Sequence, residues 1–141
     1  MRVFKFGGAS VKDAAGIKNV YDVLQKVGYE DVLLVVSAMG KTTNALELVV
    51  AAYFDKSATL QATVQEVKKY HNQILLDLFE YEKNEVFTVV NALFYDLEYF
   101  LSHNKSPNYN FVYDQIVSYG ELISTTILSH FMSFMNIKTT W

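Results

Sequence analysis

Lys5-Phe6-Gly7-Gly8-Ala9-Ser10 follows a short apolar run, so a cation and two adjacent glycines stand where a strand should hand over to a helix. That combination suits an anion. The lysine brings charge, and glycine permits positive φ and lets backbone N–H groups come close to phosphate oxygens. Ser10 is placed to cap the following helix, with Asp13 as a capping partner, which would turn the helix N-terminus toward the same anion. The same residues also describe a plain strand-turn-helix corner. Ser37 ends a second apolar run, at the carboxyl edge where open parallel sheets collect ligands, or simply closes a turn there. Glu121 is the only formally charged residue between Asp114 and Lys138. If buried, such a carboxylate needs a proton, a cation or hydrogen bonds, and Ser118, Ser124 and Thr125 are hydroxyls within one helical turn.

Other chemistries find less support. Gly40-Lys41-Thr42 looks like the end of a P-loop, but Val35 stands where that motif needs its first glycine, which leaves Lys41 as a solvated loop lysine. Gly7-Gly8 lacks the spacing of a dinucleotide fingerprint. His71, His103 and His130 are far apart and have no partner at metal-binding helical spacing, so no metal site is assigned. His71 falls on an apolar stripe and reads as a core or boundary residue.

The elements that must position these residues are legible from periodicity. Val3 to Phe6 predicts a strand, and Ile17, Val20, Tyr21, Leu24 and Val27 predict a helix from about Val11, with Gly28 as its stop. Val32 to Val36 is a continuous aliphatic run suited to a strand buried on both faces. Strand, helix and strand together predict a βαβ unit with a parallel sheet. A helix capped by Asn44 follows, then an antiparallel hairpin of two helices, Ala58 to about Glu80 and about Val86 to Phe100. Ser102 to Asn110, with Pro107, reads as a loop; Tyr113 to Met135 reads as one last helix, and Ile137 to Trp141 as the start of a third strand.

At 141 residues the expectation is one domain. A net charge of -3 argues against a nucleic-acid surface, which needs a basic patch. Ten Tyr, ten Phe and one Trp imply either an unusually full core or an apolar face that something covers. The chain has no cysteine, which excludes disulfides and thiolate chemistry and makes a reducing cytoplasm the default. No secretory signal is evident, and the apolar stretch from Leu122 to Ile137 carries too many hydroxyl and amide groups for a lipid-facing span. No membrane association is expected.

Three segments in order carry a family resemblance: Lys5-Phe6-Gly7-Gly8-Ala9-Ser10-Val11; Val35-Val36-Ser37-Ala38-Met39-Gly40 with Thr43-Asn44; and Ser118-Tyr119-Gly120-Glu121. Together they resemble the aspartokinase branch of the amino acid kinase family. Ala9 departs from that pattern, since the family usually has threonine there. The resemblance implies the fold class, α/β, with residues 1–141 as the helix-rich N-terminal half of an amino acid kinase domain and a short parallel sheet flanked by helices. It also implies transfer of the ATP γ-phosphoryl group to the side-chain carboxylate of L-aspartate, giving 4-phospho-L-aspartate for lysine, threonine and methionine biosynthesis.

By the same resemblance, Lys5 acts on the transferred phosphoryl, and Phe6, Gly7, Gly8 and Ser10 form the phosphate turn. Ser37 and Thr43 contact the aspartate, although Thr43 could equally be a helix cap, and Glu121 receives its α-amino group. ATP with Mg²⁺ is the implied cofactor, and a homo-oligomer the implied assembly. No general base is expected, because a carboxylate of ordinary pKa near 3.9 is already ionised at neutral pH. Family members continue with nucleotide-binding segments and an arginine for the substrate, so the isolated chain is expected to be inactive. Unpaired sheet edges would also favour its self-association. A glutamate- or carbamate-type kinase, or a non-catalytic interaction module that kept the motifs, are the alternatives.

Overall fold

Two short strands open the fold and pair in parallel: β1 (Arg2–Phe6) and β2 (Val32–Val36), in register from Arg2 opposite Val32 to Phe6 opposite Val36. They belong to a computed structural model that describes residues 1–80 and 83–141. The connection between them is a 3-10 turn (Gly8–Val11) and helix α1 (Ala14–Val27), the predicted βαβ unit. Helix α1 buries Ala14, Ile17, Val20 and Leu24 along one stripe, as its 3.6-residue period requires. Gly28 stops it at φ 82, and the Arg2 guanidinium donates to the carbonyls of Val27 and Gly28 at 2.6 and 2.8 Å, closing the helix C-terminus against the strand.

The start of α1 corrects one expectation. Ser10 is no helix cap; it lies inside the 3-10 turn, its N–H bonded to the Gly7 carbonyl at 2.9 Å. Asp13 is the cap, its carboxylate accepting from the Gly16 N–H at 2.8 Å. The α1 terminus is therefore satisfied by a carboxylate of its own chain, one turn beyond the glycines.

Helix α2 (Thr42–Phe54) begins two residues before Asn44, which is exposed within it rather than capping it. Helices α3 (Leu60–Leu78) and α4 (Glu85–His103) form the predicted antiparallel hairpin, with Gln65 bonded to Glu98 near one end and Phe79 packed edge-on to Phe87 near the other. The anticipated last helix is two: α5 (Tyr109–Val117) and α6 (Tyr119–Phe134). They meet at Ser118 and take different partners, α5 against α2 and α6 against α4 and β2. Asn108 caps α5, so the preceding loop is shorter than expected. Residues Ile137 to Trp141 form no strand; they run beside β2, where the Trp141 indole donates to the Thr125 hydroxyl at 2.7 Å.

One hydrophobic core joins all the helices to one face of the sheet, where Phe4, Phe6, Val32, Leu34 and Val36 pack. The opposite face is bare: Leu33 and Val35 are 48% and 43% exposed, so β2 is not buried on both faces within this chain. The aromatics divide likewise. Phe79 and Phe94 are fully buried, whereas Tyr95, Tyr99 and Tyr109 are largely exposed. Among the described residues no helix is long and apolar enough to cross a membrane.

Candidate functional site

The carboxyl edge of the sheet gathers the three motif segments into one place. The turn after β1 and the turn after β2 are tied by two backbone hydrogen bonds, Ser37 N–H to the Phe6 carbonyl and Gly40 N–H to the Gly8 carbonyl, each 3.0 Å. Gly8 is needed for this approach rather than for positive φ. A Cβ there would lie 2.7 Å from the Ala38 carbonyl oxygen and 3.0 Å from that of Gly40. Gly7 has φ -76 and nothing within 4 Å of such a Cβ, so its backbone borders open space. Within these two turns the glycine with positive φ is Gly40, at φ 54.

Helix α6 docks its first turn onto the same edge. Gly120 is buried, and a Cβ on it would meet the Ala38 Cβ at 2.8 Å and the Thr42 Cγ2 at 3.6 Å. Its close approach is to the turn after β2, and it brings the next residue, Glu121, to that edge. Ser124, one helical turn on, donates to the Ser37 carbonyl at 2.7 Å and locks the contact. Glu121 itself is exposed, not buried among the hydroxyls of its helix; Thr125 bonds its backbone carbonyl at 2.7 Å instead. Ser37 and Thr43 are half-buried, one before and one within the first turn of α2. Thr42, not Thr43, makes the helix-start contact, donating to the Met39 carbonyl at 2.6 Å, so the Thr43 hydroxyl has no capping duty.

Lys5 stands apart from this cluster in one respect. Strand alternation puts it on the bare face with Val3, beside Val35 in register, one residue inside the edge that carries Gly7 and Gly8. Phe6 is half-buried and packs on the core, while Ser10 is exposed in the 3-10 turn. Among the described residues the one ion pair joins the N-terminus to Asp31, so neither Lys5 nor Glu121 is neutralised by a salt bridge.

Two residues of α3, Tyr70 and His71, stand behind the edge. Tyr70 donates its hydroxyl to the Lys12 carbonyl, and a Cβ on Gly40 would lie 2.6 Å from the Tyr70 hydroxyl oxygen. His71 is fully buried, with Nδ1 2.8 Å from the Val67 carbonyl and Nε2 3.4 Å from the Thr42 hydroxyl. Burial pushes its imidazole down to about 4, so it is neutral. Periodicity had marked His71 as a core residue and said nothing of Tyr70, since what each touches is distant in sequence. Chemically, the edge offers a lysine, the amides of a glycine turn, two hydroxyls and an unpaired carboxylate, a set suited to a charged, zwitterionic ligand beside a phosphate.

Comparison with known proteins agrees with the motifs. The chain is 30% identical over 142 residues to the chloroplastic aspartokinase 1 of Arabidopsis thaliana, covering 96% of this chain and 24% of that protein. It is 26% identical over 141 residues to the bifunctional aspartokinase/homoserine dehydrogenase 2 of Escherichia coli (strain K12), covering 99% of this chain and 17% of that one. It thus spans a quarter or less of the length of these relatives. Its fold matches that of E. coli aspartokinase III, crystallised with lysine and aspartate, at a TM-score of 0.81 and 23% identity, over 98% of this chain and 30% of that one. The same enzyme with aspartate and ADP gives a TM-score of 0.80 at 22% identity, over 100% of this chain and 30% of that one. The model of the amino acid kinase family matches residues 1–141, end to end, and the chain belongs to that family.

Proposed function

We propose that this chain is the N-terminal, substrate-side part, residues 1–141, of the catalytic domain of an aspartokinase, which uses ATP to phosphorylate the side-chain carboxylate of L-aspartate. The observation that carries this reading is the joining of three distant motif segments at one sheet edge, through Gly40 to Gly8, Ser37 to Phe6 and Ser124 to Ser37. The names of the relatives favour aspartate as acceptor.

In this reading Ser37 and Thr43 hold the aspartate and the exposed Glu121 carboxylate takes its ammonium group. Lys5 and the amides of Gly7 and Gly8 face the phosphates, with Phe6 and Ser10 completing the turn, the Ser10 N–H being bonded to the Gly7 carbonyl. The acceptor carboxylate is ionised at neutral pH, so the protein aligns it and neutralises charge on the phosphoryl group rather than removing a proton. Mg²⁺ would travel with the nucleotide and neutralise charge on its phosphates. We take the enzyme to be cytoplasmic and oligomeric. The isolated chain lacks partners for the bare face of β1 and β2 and is expected to be inactive and to self-associate.

The test is phosphoryl transfer by the longest native form carrying this sequence, with hydroxylamine trapping the acyl phosphate. Aspartyl hydroxamate is the expected product, and Lys5→Ala should lower its rate on the order of 10²-fold or more without unfolding the protein, because Lys5 is exposed. Preference for glutamate or carbamate in competition would replace aspartate as the acceptor. Absence of any effect from Lys5→Ala and Glu121→Ala would leave the non-catalytic interaction module as the better description.

A further inference from the structure

Helix α3 lies outside all three motifs, yet it sends two consecutive side chains to the backs of both turns. Tyr70 reaches the Lys12 carbonyl, at the end of the phosphate turn, and at the same time abuts Gly40, at the tip of the turn after β2. His71 reaches Thr42, which in turn holds the Met39 carbonyl at 2.6 Å. The two rings pack edge-on with centroids 5.0 Å apart, and Phe94 of α4 backs the imidazole at 5.9 Å. The imidazole is therefore held within the α3–α4 hairpin, by the Val67 carbonyl and Phe94, and the Tyr70 ring packs on it.

From this geometry we infer that Tyr70, supported by His71, is a positioning residue that fixes the phosphate turn relative to the substrate turn. The two turns otherwise touch through the backbone pairs Gly40 to Gly8 and Ser37 to Phe6. Tyr70 adds a third link from a rigid helix. Burial, and then the Asp13 carboxylate, hold the Tyr70 phenol above its ordinary value of 10, so it remains a donor at neutral pH. Gly40 leaves just enough room: its positive φ and the absent Cβ are what allow the hydroxyl to sit against it. Each turn can bind its own ligand without this link; what the link sets is the alignment of one ligand with the other. Displacements of about 1 Å in such alignment cost on the order of 10²-fold in rate.

The kinetic arm of the test rests on the aspartokinase reading, and the exchange arm does not. Tyr70→Phe keeps the ring and removes only the donor. In residues 1–141 as they stand, hydrogen exchange at the Gly40 amide, which is bonded to Gly8, should quicken about tenfold, while amides inside α3 and α6 hold their rates. In the longest native form, kcat should fall roughly tenfold with KM for aspartate and for ATP each within about twofold. Tyr99→Phe, on the exposed face of α4, should change neither. Unchanged exchange at Gly40 would overturn the inference whatever the activity, and so would a rise in KM with kcat intact. If the wild-type protein turns over no aspartate, it is the functional reading that fails, and the exchange rates alone decide the role of Tyr70.

Discussion

The two faces of the small sheet are made of similar residues and meet opposite fates. On one, Phe4, Phe6, Val32, Leu34 and Val36 close against the helices; on the other, Val3, Leu33 and Val35 stay 58%, 48% and 43% exposed around Lys5. The covered side is where the candidate site is fixed in place. Its turns are tied by backbone hydrogen bonds, Gly120 seats α6 on Ala38, and Tyr70 braces both turns from α3. On the bare side Lys5 is held by strand geometry alone. The turns and the start of α6 are thus fixed by this chain, whereas the surroundings of Lys5 are left to whatever meets the open face.

Disturbing the covered side should cost most, beginning with the protonation of His71. Its folded value of about 4 lies below the ordinary 6.5, so the folded protein refuses a proton that the unfolded chain accepts. Stability is then full above pH 6.5 and declines as pH falls toward 4, by about 3 kcal/mol in all. Urea denaturation at a series of pH values should show this loss, and His71→Gln should flatten that part of the profile. An unchanged profile in the variant would mean that the imidazole is not buried as described.

The adjacent glycines give a smaller and sharper contrast. Gly8→Ala drives a Cβ into two backbone carbonyls and should destabilise by roughly 1–3 kcal/mol, whereas Gly7→Ala should stay within about 0.5 kcal/mol. Thermal melts of the two variants check this, and equal losses would show that the turns are not in close contact. The smallest effect on stability belongs to the bare face. Leu33→Lys should alter folding by about 0.5 kcal/mol or less while lowering self-association of the isolated chain in sedimentation. Association unchanged by the substitution would point to another surface, with the exposed tyrosines of α4 next to be tried.

The first two strands and the α3–α4 hairpin were legible because they depend on local spacing: apolar runs at Val3 and Val32, and a stripe from Val64 through Ile74; the third strand expected from Ile137 does not form. Caps were read less well. Ser10 and Asn44 are good capping residues by type, but the chain tightens into a 3-10 turn after Gly8 and starts α2 at Thr42, so Asp13 and Thr42 make the terminal contacts. Tyr113 to Met135 kept helical periodicity across Ser118, and only the different partners of α5 and α6 separate them. Whether Glu121 is buried stays open in the sequence, where its helix is otherwise apolar; it is exposed because it lies in the first turn of α6, at the edge of the sheet.

By itself the sequence determined where the three motif segments lie, the order of most elements, and the parallel pairing that follows from a strand, a helix and a strand. Residue type and period set those, and both are local. The tertiary structure decided that Gly8 serves close approach rather than positive φ, that one sheet face is open, and that Tyr70 and His71 stand behind the site. Each of these depends on segments tens of residues apart meeting at atomic distance, as Tyr70 meets Lys12 and Gly40, and no local pattern encodes such a meeting.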